Sequence, residues 1–545
     1  MSRSMVPLVL LTSLFLTPLP LPATELPGCD FNGGGDDLAV GVPGEKVTAS
    51  GEGAVNVIFD GQVVDDEFLH QGTGGIDEDS RYNDRFGEAL ACGNFNGDGF
   101  DDLAIGVPGR DQAGYEDSGA VWVLFGSKEG FQGKSDLVNT PQLWDEVAFL
   151  GQSGDRHEFG AELAVGDFDG NGCDDLAIAA PGATVDKEPQ AGAVYLLYSN
   201  CELGLEHDPD KAWQFSQLMD GWADVPEEGD RFGTALAAGD FDADGFDELV
   251  VGVPLEDEQT TQLEDVGAVH VFYGGPNGPF ADTQSETETI FQNFMKDGLQ
   301  ADDQFGFSLA VADFDADGLE DLAIGVPFED VEGYVSVVDN AGAVNVLYGT
   351  PCGLVCNQTR WQFWHQDSVL DGEAIDDVAE ANDQFGYDLT VADLCTTPAW
   401  NSKFLDAVEP GHDLVVGAPG ENAGAGQIHL ICGSPYELTA GLWVYDLFLD
   451  IWFFTFWDQT YDQQLDEGEP AEAGDRFGAT LSSRSDGLAI DIGVPGEGTD
   501  GATSVGMVET FVPAFGGPVL IPWSQADPDI TDEAETDDRF GTALP

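Results

Sequence analysis

Basic residues are scarce in this 545-residue chain. It holds 17 Lys and Arg against 103 Asp and Glu, a formal net charge of -86. Nucleic acids and anionic membrane surfaces are bound through clustered Lys and Arg, so the balance excludes both as partners and makes cations the natural counterparts. Catalytic signatures are missing as well. No Gly-x-Ser-x-Gly elbow, His-Glu-x-x-His pair or Gly-rich phosphate loop occurs, and the seven His are scattered. A carboxylate pair could hydrolyse glycosides, but among 103 acids a pair carries no information. Long hydrophobic runs are absent too: none reaches the ~18 apolar residues of a membrane span.

The apolar run from Met5 to Leu16 follows Arg3 and gives way to a Pro-rich stretch ending at Pro22 and Ala23. It reads as a secretory signal peptide, residues 1–23, which leaves 24–545 as a secreted or cell-surface protein without a membrane span. Leu26-Pro27-Gly28-Cys29 loosely resembles a lipobox that would attach a lipid to Cys29, although Glu25 and Pro27 fit it poorly. What is present points to a folded chain. Hydrophobic residues make up 42%, and 71 Gly with 28 Pro imply many turns, so the expectation is an all-β protein. The eight Cys form an even set in an exported chain and permit disulfides, with Cys352 and Cys356 close enough for a loop staple. Asn357 begins a glycosylation sequon.

Phe-Gly recurs at Phe86, Phe159, Phe232, Phe305, Phe385, Phe477 and Phe540, and the first four are 73 residues apart. A Gly-Val-Pro-like tripeptide also occurs seven times, at Gly41, Gly106, Ala179, Gly252, Gly325, Gly417 and Gly493. Each unit reads as four strands. In one copy these are Phe232 to Asp240, Leu249 to Val253, Gly267 to Tyr273, and a preceding strand from Trp213 to Phe215. One small sheet cannot bury both faces, so the units must stack, and seven in a ring leave no end exposed. The expectation is a single seven-bladed β-propeller over 24–545. The first Gly-Val-Pro lacks a Phe-Gly before it and the last Phe-Gly lacks the rest of its unit, so the C-terminal strand should complete the first blade.

Four consecutive units carry a nine-residue loop between Phe-Gly and Gly-Val-Pro: NFNGDGFDD from Asn94, DFDGNGCDD from Asp167, DFDADGFDE from Asp240 and DFDADGLED from Asp313. Side-chain oxygens fall at positions 1, 3, 5 and 9, Gly stands at 6, and position 7 would offer its backbone carbonyl. Carboxylates alternating in a tight loop repel one another unless a cation sits among them. An oxygen-only set in a flexible loop selects Ca²⁺. The predicted ligands are Asn94, Asn96, Asp98, Phe100 and Asp102; Asp167, Asp169, Asn171, Cys173 and Asp175; Asp240, Asp242, Asp244, Phe246 and Glu248; and Asp313, Asp315, Asp317, Leu319 and Asp321. An EF-hand would need Glu at position 12, where Ile105, Ile178, Val251 and Ile324 stand instead.

The Phe-Gly strand, the Asp-rich hairpin and the Gly-Ala-Pro-like strand together resemble the FG-GAP repeats of the integrin alpha-subunit propeller. The resemblance implies about four Ca²⁺ in hairpin loops and a role in extracellular adhesion or ligand binding, with a protein or glycan as partner and no catalysis. Asn94 and Asn96 make the first site the least charged. Three units lack the loop: Asp30 to Asp37 is one residue short, Asp393 to Asp413 carries a long insertion, and Arg484 to Gly487 is a short turn. Similar repeats also occur in glycosylphosphatidylinositol-specific phospholipase D, so a secreted hydrolase or its accessory subunit is the alternative, and a structural surface or matrix protein a third. Two features lie outside the pattern. Arg85, Arg231, Arg476 and Arg539 precede Phe-Gly and should pair with carboxylates of adjacent blades. The aromatic stretch 442–457 should be an outer hairpin or a partner-binding patch.

Overall fold

The computed structural model of the chain describes residues 29–545 apart from loop stretches, the longest being 60–65, 132–139, 219–224, 280–287, 396–410, 462–474, 497–506, 513–518 and 524–539. The proposed signal peptide, Cys356, Asn357 and Arg539 lie outside the described residues.

Seven antiparallel sheets follow one another along the chain, each running from its first strand to its last in sequence order. The second blade pairs Leu90–Gly93, Asp102–Gly106, Val121–Leu124 and Gln142–Trp144. The fourth repeats this with Ala235–Gly239, Glu248–Val253, Ala268–Phe272 and Glu288–Ile290. The fifth does so with Ser308–Ala312, Asp321–Val326, Ala343–Leu347 and Trp361–Trp364. In the third, Leu163–Gly166, Asp175–Ala180 and Ala193–Ser199 are joined by Gln214–Phe215. The sixth uses Leu389–Ala392, Asp413–Ala418, Gln427–Ile431 and Thr460–Tyr461, and the seventh Thr480–Ser483, Ile490–Val494, Met507–Val512 and Val519–Trp523. The first has Leu38–Val42, Ala54–Ile58 and Glu67–Leu69.

Burial explains the sequence texture. Second strands such as Asp102–Gly106 and Asp321–Val326 are buried at every position, because neighbouring blades cover both faces, and they read as continuous rather than alternating apolar runs. The first strand Ser308–Ala312 alternates buried and half-buried, since one of its faces looks into the ring. First strands of successive blades pack side by side and, together with Thr542 to Pro545, line a central cavity of about 410 Å³.

Phe-Gly plays a different part from the one expected. The spacing predicts a strand starting at Phe232, but the strand of the fourth blade begins at Ala235, and the Phe232 amide instead donates to the Ala191 carbonyl of the preceding blade at 2.9 Å. At the equivalent boundaries a parallel bridge joins Gly53 to Phe86, Gly119 to Phe159, Gly267 to Phe305, Gly342 to Phe385 and Gly426 to Phe477, and each Phe is fully buried. Likewise Gln214–Phe215, assigned from the sequence to the unit that follows it, pairs with Val194 and Tyr195 and closes the unit before it. The bridging glycine is obligatory. Gly267 has φ +80°, and a Cβ there would run into the backbone of Phe305. Gly267→Ala should therefore cost about 3 kcal/mol or more by strain and lost blade contact, read by urea denaturation.

The ring closes as the repeats imply. The Gly41 amide donates to the Ala543 carbonyl at 2.9 Å, and Phe540 is buried among Leu38, Val40 and Val42 of the first blade and Val508 of the seventh. Disulfides add Cys29–Cys92 between the first and second blades, Cys173–Cys201 in the third and Cys395–Cys432 in the sixth. The Cys29 sulfur is thus bonded to Cys92. Cys352 is disulfide-bonded too. The aromatic stretch forms a separate hairpin, Leu442–Asp446 with Ile451–Thr455, inserted between the third and fourth strands of the sixth blade, and its side chains lie outside the described residues. Among the described residues no helix is long and apolar enough to cross a membrane.

Candidate metal sites in four blade hairpins

The four Asp-rich loops connect first to second strands, so all four sit at the same end of their blades. Their local fold follows from short polar side chains capping backbone amides. In the third blade Asp167 and Asp169 both accept from the Asn171 amide, at 2.9 and 3.1 Å, and Asn171 accepts from Cys173 at 2.9 Å. In the fourth, Asp240 and Asp242 accept from Asp244 at 3.2 and 3.1 Å, and Asp244 from Phe246 at 3.1 Å. Asn94 and Asn96 do the same for Asp98, and Asp98 for Phe100. Asp313 accepts from Asp317, and Asp317 from Leu319.

Positions 1, 3 and 9 converge. Asp167, Asp169 and Asp175 bring carboxylate oxygens within 4.8 Å of one another, as do Asp240, Asp242 and Glu248, and Asp313, Asp315 and Asp321. The second blade places Asn94, Asn96 and Asp102 in the same frame, with Asp102 fixed by the Phe95 and Gly126 amides. In the fourth and fifth blades the position-5 carboxylates, Asp244 and Asp317, stand outside the gathered sets. The position-7 side chains turn to the neighbouring blade: Phe100 lies against Gly33, Cys173 by Gly97 and Phe246 against Gly170.

The sets fit a hard cation. Asp175 Oδ2 and Asp315 Oδ1 are buried oxygens without a hydrogen-bond partner. Burial pushes Asp175 up to about 8 and Glu248 up to about 9, and raises Asp102 and Asp321 far above the usual carboxylate range. Buried acids this uncomfortable must take up protons or share a cation. Asp175, Asp240, Asp313 and their partners would supply the oxygens, and the ion would supply the charge that holds the hairpin closed.

Sequence reasoning missed three elements here. The acid at position 8 belongs to the neighbouring blade: Asp101 accepts from Asp30 N, Asp174 from Asn94 N, Asp247 from Asp167 N and Glu320 from Asp240 N, at 2.6 to 2.7 Å. The doubled acid of each loop was the available signal. Asp247→Ala should cost about 2 kcal/mol by stranding the Asp167 amide, whereas Asp247→Asn keeps an acceptor and most of the stability, a difference visible in chemical denaturation. Second, Lys211 reaches Asp169 across the Tyr198 ring, and Arg360 reaches Asp315 and Asp317, at 2.5 and 3.3 Å, across the Tyr348 ring. Third, two blades without the loop place a basic side chain there: His412 lies 2.9 Å from Asp393, and Arg484 pairs with Asp491 at 3.1 Å. The Phe-Gly arginines do span blades, since Arg85 and Arg231 both reach Glu158, at 3.6 and 2.8 Å, while Arg476 lies over the Tyr387 ring.

Comparison with known proteins agrees with this architecture. The model of the FG-GAP repeat matches residues 86–124, 159–197, 232–272 and 305–347. Integrin alpha-PS2 of Drosophila melanogaster is 30% identical over 252 residues, 45% of this chain and 15% of that protein. Phosphatidylinositol-glycan-specific phospholipase D of Rattus norvegicus is 30% identical over 253 residues, 44% of this chain and 26% of that protein. Integrin alpha pat-2 of Caenorhabditis briggsae is 31% identical over 257 residues, 45% and 18% respectively. The chain thus spans about a quarter or less of each of these relatives. It is a seven-bladed β-propeller carrying FG-GAP repeats, a distant homologue of integrin alpha subunits and of phosphatidylinositol-glycan-specific phospholipase D.

Proposed function

We propose that the chain is an extracellular calcium-binding propeller that serves as a binding or adhesion module for a protein or glycan, without catalysis of its own. The observation that carries the reading is the recurrence of the carboxylate triad, at the same three loop positions, in three successive blades. Oxygen-only ligands in a flexible hairpin suit Ca²⁺. The disulfides and the integrin relatives support an oxidising, extracellular setting. The ligands would be those of positions 1, 3, 5 and 9 with the position-7 carbonyl, in four hairpins.

Protein and glycan arrays probed in Ca²⁺ and in EDTA test the role. Binding that appears in Ca²⁺ and vanishes in EDTA supports it; no binding in either condition counts against it. The phospholipase D matches favour one other outcome, so the same preparation is assayed for cleavage of a phosphatidylinositol-glycan. Turnover there would replace the adhesion reading by an enzymatic one. The basic side chains grade the sites. Lys211→Gln removes a charge that competes with the ion at Asp169 and should tighten Ca²⁺ there roughly tenfold or more, measured by calorimetric titration.

A further inference from the structure

The four Asp-rich hairpins are joined to one another, and the joints fall on the residues that would hold the ions. At the boundary of the third and fourth blades Asp167, position 1 of its loop, gives its amide to the Asp247 carboxylate at 2.7 Å, and its carbonyl accepts from the Asp247 amide at 3.2 Å. Asp247 is position 8 of the next loop and adjoins Glu248, which converges with Asp240 and Asp242. A second joint runs beside the first. The Glu248 carboxylate accepts from the Gly274 amide at 3.3 Å, and the next amide, that of Gly275, donates at 3.2 Å to the carbonyl of Phe168, which lies between Asp167 and Asp169. The Phe246 ring packs against Gly170 of the same loop.

The other boundaries of the row are built alike. Asn94 gives its amide to Asp174 at 2.6 Å, and Ser199 Oγ donates to the Phe95 carbonyl at 2.6 Å. Asp240 gives its amide to Glu320 at 2.7 Å and accepts from the Glu320 amide at 3.3 Å. The position-1 residue thus turns its side chain to its own site while its backbone is part of the frame of the next. An ion that orders one loop therefore removes part of the ordering entropy that binding in the neighbouring loop would otherwise lose. Repulsion between ions in adjacent loops acts the other way. In the third, fourth and fifth blades, however, each ion enters a set of three carboxylates that outweighs its charge, and solvent ions screen the remainder.

We propose that the hairpins of the second to fifth blades fill cooperatively, ions in adjacent blades raising each other's affinity through Asp174, Asp247 and Glu320; this rests on the calcium reading given above. The coupling is reciprocal, so loss of any one site weakens those beside it.

Calorimetric titration of the full chain with Ca²⁺ tests it. The parent should bind with a Hill coefficient above 1. Asp242→Asn removes a ligand of the fourth-blade hairpin and touches none of the joints; it should bind one equivalent fewer and hold the ions of the adjacent blades roughly fivefold or more weakly. Asp247→Ala cuts the first joint and should keep every equivalent while the Hill coefficient falls. Asp247→Asn loses the same charge but keeps an acceptor for the Asp167 amide, and should titrate with the cooperativity of the parent, which separates the joint from the electrostatics. A parent Hill coefficient of 1 or less, an Asp242→Asn variant that loses one equivalent with the others unchanged, or an Asp247→Ala variant as cooperative as the parent overturns the coupling and leaves the calcium sites standing. A parent that binds no Ca²⁺ overturns both.

Discussion

Removal of residues 540–545 should take away a large part of the propeller's stability. Terminal segments are ordinarily dispensable. Here the segment contributes Phe540, fully buried between the first and seventh blades, and Ala543, whose carbonyl accepts from Gly41. Loss of one buried Phe alone costs about 3–5 kcal/mol, against a typical total of 5–15 kcal/mol. The truncation also uncovers the inner edge of Leu38–Val42, and an unpaired apolar edge recruits other chains. The expected result is a strongly lowered melting temperature together with aggregation on size-exclusion chromatography. Phe540→Ala should reproduce the loss of stability with less aggregation, since Ala543 still covers the edge. A truncated chain that melts within a degree or two of the parent and stays monomeric would show that the ring does not depend on this closure.

The ring was legible because its signals are periodic. Phe-Gly, the Asp-rich loop and Gly-Val-Pro recur at fixed distances, and only a closed stack of sheets satisfies all seven copies. What a linear pattern hides is which blade a residue serves. Phe232 and Gln214–Phe215 sit at unit boundaries, where the same spacing is compatible with either neighbour, and in both cases the structure uses them across the boundary. The doubled acid of the loops failed for the same reason. Asp174 and Asp175 are adjacent in sequence and look alike, yet one turns into its own hairpin and the other caps Asn94 in the preceding blade. Among 103 acids, only a comparison of equivalent places in adjacent blades separates a solvated carboxylate from a gathered one.

Withdrawal of Ca²⁺ should destabilise the protein by several kcal/mol and reverse the direction of its pH response. A site that binds only the folded chain adds about 4 kcal/mol when free Ca²⁺ is 1,000 times its dissociation constant, so even two strong hairpins outweigh any single side chain. In EDTA the buried acids govern the pH dependence. Burial raises Asp175 from 3.8 to about 8 and Glu248 from 4.5 to about 9. Between those limits the folded chain holds protons that the unfolded chain has released, so stability falls as pH rises from about 4 to about 9. The EDTA-treated protein should therefore melt higher at pH 5 than at pH 8. With Ca²⁺ present the ion displaces those protons, acid competes with it, and the protein should melt higher at pH 8 than at pH 5. Asp240→Asn combined with Glu248→Gln should flatten both trends at the fourth-blade hairpin, which has no basic side chain like Lys211 or Arg360 among its described ion pairs. Thermal melts at the two pH values, with and without EDTA, decide the matter: curves that move the same way with pH in both conditions mean that the hairpins are held by protons and turn geometry, and the metal reading fails.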